Sequence, residues 1–232
     1  HGGVDHVLVD FEPRILRRLG IGDRVQIYTY GLGLRLLDHR EISLFNCSPR
    51  LVERWGLRHR GKVLGVPVTH VLPAGIMGSG LGRDSACRGD YDIQLFDAGV
   101  RGRFRLDRLR FGDLVAIRGA DTRFGRAAHQ GFTSVGVVVH SDSIKSGHGP
   151  GVVSLLSGPA TLIQPLYEPR ANLAAVLGLR EPAKPRPRMT LLDKLAREPS
   201  HGRIRSPGGR RPQRSGSAAR AFISAGDTGL YW

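Results

Sequence analysis

Apolar and polar positions alternate with a period of two along much of the chain, the mark of half-buried strands. Arg24 to Tyr30 shows it most clearly: Val25, Ile27 and Thr29 face one way, while Arg24, Gln26, Tyr28 and Tyr30 face the other. The same reading predicts strands over 4–11, 34–37, 41–46, 63–72, 91–96, 113–118, 132–140 and 161–167. Helices are few and short. Pro13–Leu19 and Pro49–Trp55 each carry proline at a first helical position, the second behind Ser48 as a cap, and Gly20 and Gly56 stop them. Arg170–Leu177, ending at Gly178, is a third. A short echo links residues 19–27 to residues 109–117: in both, Gly-Asp makes a tight turn ahead of a β-branched run. About nine short strands without long intervening helices predict a mainly β (α+β) fold. Its expected form is barrel-like curved sheets with a few short helices.

Composition divides the 232 residues unevenly. Residues 1–180 hold the strand pattern and are expected to form one domain. Residues 181–232 are rich in Arg, Pro and Gly, hold no aromatic residue before Phe222, and read as a disordered basic tail. From Arg180 onward twelve basic residues face four acidic ones, which is more than half of the net charge of +15. Charge of that size invites a nucleic-acid reading. No basic helix or aromatic stacking platform accompanies it, so nucleic acid is not the expected partner. No apolar run approaches the roughly 18 residues that cross a bilayer, and no membrane partner is expected. Cys47 and Cys87 are the only cysteines and lie far apart, which excludes a disulfide scaffold and points to the reducing cytoplasm. The chain begins at His1 and enters a strand pattern at once, which reads as an N-terminal truncation.

The most concentrated polar segment, His140 to Gly151, follows the valine-rich run 135–139. His140 and Asp142 share one side of an extended chain, and a glycine turn can fold His148 back toward them. Two imidazoles and a carboxylate then offer His140, Asp142 and His148 as ligands for a divalent metal of unspecified identity. The same segment also reads as a solvated polar turn. In Gly89-Asp90-Tyr91-Asp92-Ile93-Gln94, Asp90, Asp92 and Gln94 share a strand face, which makes Asp90 and Asp92 candidates for a general base or additional ligands. Ser79, in a glycine-rich segment, and the forked guanidinium groups of Arg123 and Arg126 are candidate substrate contacts. For Arg123 and Arg126, pairing with Asp121 is the competing account. His70, alternating with Val68, reads as a core histidine. His1, Asp5 and His6 lie at the apparent cut.

Several of these segments, in order, carry a resemblance. The run His1-Gly2-Gly3-Val4-Asp5-His6-Val7-Leu8-Val9-Asp10-Phe11, then Pro67-Val68-Thr69-His70, Met77-Gly78-Ser79-Gly80, Gly89 to Gln94, Arg110 to Ile117 and Gly147 to Val152 resemble a prokaryotic family known as domain of unknown function 4438. The resemblance covers about residues 1 to 180 and implies a segment missing ahead of His1. The family offers no activity to carry over.

Three functions follow as expectations. The first is metal-assisted hydrolysis of a small polar, amide-like substrate. The second is a non-catalytic ligand-binding or assembly module, with a small molecule or a further copy of the chain as partner. The third is electrostatic binding of nucleic acid through the tail.

Overall fold

The computed structural model describes residues 6–7, 11–26, 28, 30–142, 147–179 and 223–224. Contacts divide the chain into two compact units, with the first break between Val25 and Gln26. In the first, strand β1 (His6–Val7) pairs antiparallel with Ile223–Ser224, and helix α1 spans Pro13–Leu16 with proline at its start. Apart from Ile223–Ser224, the tail expected over 181–232 lies outside the described residues, as do His1 and Asp5.

The second unit carries the two larger sheets. Strand β2 spans Ser43–Leu44 and helix α2 Pro49–Arg54. Strands β3 (Arg58–Arg60), β4 (Val63–Val68) and β5 (His70–Pro73) follow. Next come β6 (Tyr91–Asp92) and helix α3 (Ala98–Phe104). Strands β7 (Leu114–Asp121), β8 (Ala127–Val138), β9 (Gly151–Pro159) and β10 (Ile163–Tyr167) precede helix α4 (Leu173–Val176). The larger sheet runs β2-β9-β8-β7-β5, antiparallel except where β5 lies parallel to β7, and β6 pairs with the start of β9. The smaller sheet runs β10-β4-β3.

Packing explains this order. Leu114 and Ala116 of β7 join an apolar cluster with Leu64, Val66, Val68 and Trp55. Val115 and Ile117 enter a second cluster with Tyr91, Ile93, Leu72 and Val152. With both faces covered, Leu114 to Ile117 of β7 form an unbroken apolar run, as fully buried strand segments do. Thr69 alone separates β4 from β5, so one stretch of backbone serves both sheets; its amide and hydroxyl both donate to the Leu114 carbonyl, at 2.8 and 3.2 Å.

The mainly β architecture with short helices stands, but among the described residues neither sheet closes into a barrel. The described residues of 24–30 form no strand, and 34–37 contributes a single bridge, Arg35 to Ser43. Alternation specifies which side chains share a face, whereas a strand also needs a neighbouring edge to pair with. The echo is real at the turn: the Asp23 carboxylate accepts from the Gly20 amide at 2.7 Å, and the Asp113 carboxylate from the Arg110 amide at 2.9 Å. Among the described residues only the second turn feeds a strand, which β5 and β8 flank. Ser48 caps α2 as its sequence predicts, its hydroxyl accepting from the Leu51 amide at 3.2 Å. Strands β3 and β9 and helix α3, capped by Asp97, are additions that the periodicity does not announce. No helix among the described residues is long and apolar enough to cross a membrane.

Candidate metal centre

The pairing of β6 with β9 builds the site. It sets Tyr91 opposite Val152 and Asp92 opposite Gly151. Tyr91 and Ile93 are consumed by the apolar cluster, so the alternating Asp90 and Asp92 turn the other way. His140 sits two residues past the end of β8 and His148 three residues before β9 begins. Adjacent strands of one sheet therefore deliver both imidazoles to the two carboxylates.

His140 Nε2 lies 2.7 Å from Asp90 Oδ2 and 3.6 Å from Asp92 Oδ1. The other oxygen of Asp92 is 3.0 Å from His148 Nδ1 and 3.4 Å from the Gly149 amide. Asp92 is 3% exposed, whereas Asp90, His140 and His148 are reached by solvent along one side. On its far side the His140 ring donates from Nδ1 to the Ser141 carbonyl at 2.8 Å, an acceptor only, which fixes a proton there and aims Nε2 at the carboxylates. One ligand atom each from Asp90, Asp92 and His140 fall within 4.8 Å of one another. Asp142 is exposed and does not belong to that group, nor does His148, which reaches Asp92 from its outer oxygen.

Electrostatics follow from the geometry. Hydrogen bonding to Asp90 and then Asp92 pushes the His140 imidazolium up to about 10, against the opposing effect of burial. Burial works to raise Asp90, but the His140 hydrogen bond and charge outweigh it and hold this carboxyl below its ordinary range.

Close approach around the site requires glycine, at Gly151 and Gly80 among others. A Cβ on Gly151 would run into Asp90 Oδ2 and His140 Nε2, and one on Gly80, at φ +86°, would run into the Asp90 carbonyl. The Gly80 segment is a strap over the site: the Ser79 amide donates to the Gly147 carbonyl at 2.8 Å, and the Asp92 amide to the Ser79 carbonyl at 2.9 Å. Ser79 thus stands beside the cluster and is tied to it through backbone, half-buried.

The arginines lie elsewhere in the chemistry. Arg126 is 5% exposed and donates to the carbonyls of Gly80, Ser85 and Arg88 at 2.8, 2.8 and 2.6 Å, clamping the loop that leads into Asp90. Arg123 pairs with Asp121 at 2.9 Å and lies over the Phe132 ring. His70 is satisfied internally, by the Thr69 hydroxyl at 2.8 Å and the Arg105 carbonyl at 3.2 Å, and burial lowers its pKa. The sequence offers no signal for the Arg126 clamp, because its three acceptors are backbone atoms about 40 residues away. The Gly-Pro-Gly ahead of β9 does signal a close approach, without saying to what.

The comparisons are consistent with one another. A solved structure titled "Crystal structure of TM1086" aligns with a TM-score of 0.70 at 40% identity, over 75% of this chain. The chain spans 61% of the length of TM1086. The comparison with curated proteins gave no match. Residues 1–53 match the N-terminal and residues 54–177 the C-terminal part of domain of unknown function 4438. Matched through both parts, the chain belongs to the DUF4438 family.

Proposed function

We propose that Asp90, Asp92 and His140 hold a divalent metal ion, and that the protein uses it to hydrolyse a small polar substrate of the amide class. The observation carrying this reading is the convergence of three ligand atoms within 4.8 Å, with the Ser141 carbonyl behind His140 as an orienting partner. Two carboxylates and one imidazole make a three-ligand set that leaves positions open for water and substrate. Asp90, Asp92 and His140 would hold the ion where its charge could polarise a substrate carbonyl and lower the pKa of a bound water. Water oxygen adds to the carbonyl carbon, the C–N bond breaks, and the nitrogen departs with a proton, giving a carboxylate and an amine. His148, hydrogen-bonded to the outer oxygen of Asp92, would accept the water proton and return it to the leaving nitrogen. Free Cys47 and Cys87 suit a reducing, cytoplasmic setting for this chemistry.

A second reading has its own support. An imidazolium between two carboxylates offsets part of their charge, in line with the upward shift of His140, and such a cluster also suits a non-catalytic binding module. Metal analysis separates the two. After chelator treatment and titration with zinc, manganese or magnesium, the intact chain and the Asp142→Ala variant should each take up one equivalent, and Asp90→Asn and His140→Ala should take up none. No uptake by the intact chain removes the metal reading. Uptake without turnover of any simple amide removes the hydrolase and leaves the binding module.

A further inference from the structure

A second pair of histidines meets away from the Asp90–Asp92–His140 group and shares no residue with it. His39 lies in the turn-rich segment ahead of β2, yet it is only 5% exposed. It is buried against the β3–β4 hairpin, whose turn passes through Gly61 and Lys62. His39 Nδ1 meets the Lys62 carbonyl at 3.2 Å, and His39 Nε2 meets Nδ1 of His59 at 2.9 Å. The two rings are tilted by 32°, with centroids 5.0 Å apart. His59 sits on β3, the outer strand of the smaller sheet, and is exposed.

The protons can be assigned by chemistry. A carbonyl only accepts, so His39 carries its proton on Nδ1 and presents a bare lone pair at Nε2. His59 must then donate from Nδ1, leaving its own Nε2 bare toward solvent. Moving that one proton to Nε2 of His59, by way of water, leaves two facing nitrogens with bare lone pairs 2.9 Å apart.

We propose that His39 and His59 form a second metal site, for a late first-row divalent ion of the nickel and copper class. Imidazole donors suit these ions, and metal–nitrogen bonds of about 2.0–2.1 Å meeting at a right angle place the two nitrogens about 2.9 Å apart. That is the separation observed. A tetrahedral angle with the same bond lengths requires roughly 3.4 Å, so the spacing favours square-planar over tetrahedral ions. The Lys62 carbonyl supplies the orienting partner that metal-bound histidines characteristically have. The exposure of His59 leaves the remaining positions to water or a small anion.

The test uses the full chain carrying His140→Ala, so that failure of the Asp90–Asp92–His140 reading cannot be confused with failure here. Copper(II) is titrated in and followed by electron paramagnetic resonance, with nickel(II) uptake measured in parallel by calorimetry. The expected result is one saturable equivalent whose spectrum shows two coordinated imidazole nitrogens, lost on the further substitution His59→Ala. Because His59 is exposed, that substitution leaves the fold intact, and His39→Gln checked by circular dichroism provides the second variant. The proposal is overturned if His59→Ala keeps the equivalent with an unchanged spectrum. It is equally overturned if the chain takes up no metal while the His39–His59 hydrogen bond persists in the imidazole NMR signals.

Discussion

Gly151→Ala adds one methyl group to the residue that faces Asp92 across the β6–β9 pair, and it removes no candidate ligand. The new Cβ would overlap both Asp90 Oδ2 and His140 Nε2. The backbone has little freedom to retreat, since the Gly151 carbonyl accepts from the Val139 amide at 2.9 Å and Val152 next to it is fully buried. The side chains must therefore separate. Overpacking of one methyl costs about 1–3 kcal/mol. If that cost falls on the arrangement in which Asp90 and His140 converge, metal affinity drops by roughly 5- to 150-fold. Isothermal calorimetry on the chelator-treated protein measures this directly. Gly75→Ala serves as control, because a Cβ there meets nothing within 4 Å and its φ is not positive. If Gly151→Ala binds metal as tightly as the Gly75→Ala control while both retain native circular dichroism, Asp90 and His140 do not act as ligands to one ion.

Two further outcomes follow from the same geometry. In the metal-free protein the His140 pKa, raised from 6.5 to about 10, contributes stability that is complete below about 6.5 and lost as pH rises through about 10. Chemical denaturation across that range should show the decline, and His140→Ala should flatten it; a pH-independent intact chain would contradict the ion pair. Asp90, held low, acts in the opposite sense, its contribution present above the ordinary carboxyl range and lost as pH falls. Arg126→Met deprives the carbonyls of Gly80, Ser85 and Arg88 of a buried charged donor. A loss of roughly 2–4 kcal/mol is expected, with faster amide exchange over 80–89; an effect under about 0.5 kcal/mol would show that the clamp is incidental.

How much of this was legible beforehand depended on whether a feature is local. Strands β7 and β8 announce themselves through the apolar stretches Leu114 to Ile117 and Val135 to Val139, and α2 because Pro49 and Ser48 sit at its start. Strand β9 does not, since Gly151, Ser154, Ser157 and Gly158 interrupt its apolar residues and both of its faces are buried, leaving no alternation to read. The site was half visible. A polar stretch following a valine-rich strand draws attention to His140 and His148, and Asp90 and Asp92 share a face by simple alternation. What joins the two groups is the pairing of Asp92 with Gly151, which nothing local encodes. Asp142 would join His140 only if extended geometry continued past β8; the chain leaves the sheet there, and Asp142 is exposed. Arg123 met Asp121, the partner its own sequence neighbourhood supplies.

The passage of one backbone run through both sheets at Thr69 has a mechanical consequence. The smaller sheet cannot slide or peel away without dragging β5 along the edge of β7 and tearing the double anchor on the Leu114 carbonyl. The two layers are therefore expected to melt as one cooperative body, with a single calorimetric transition, and not as separable leaves.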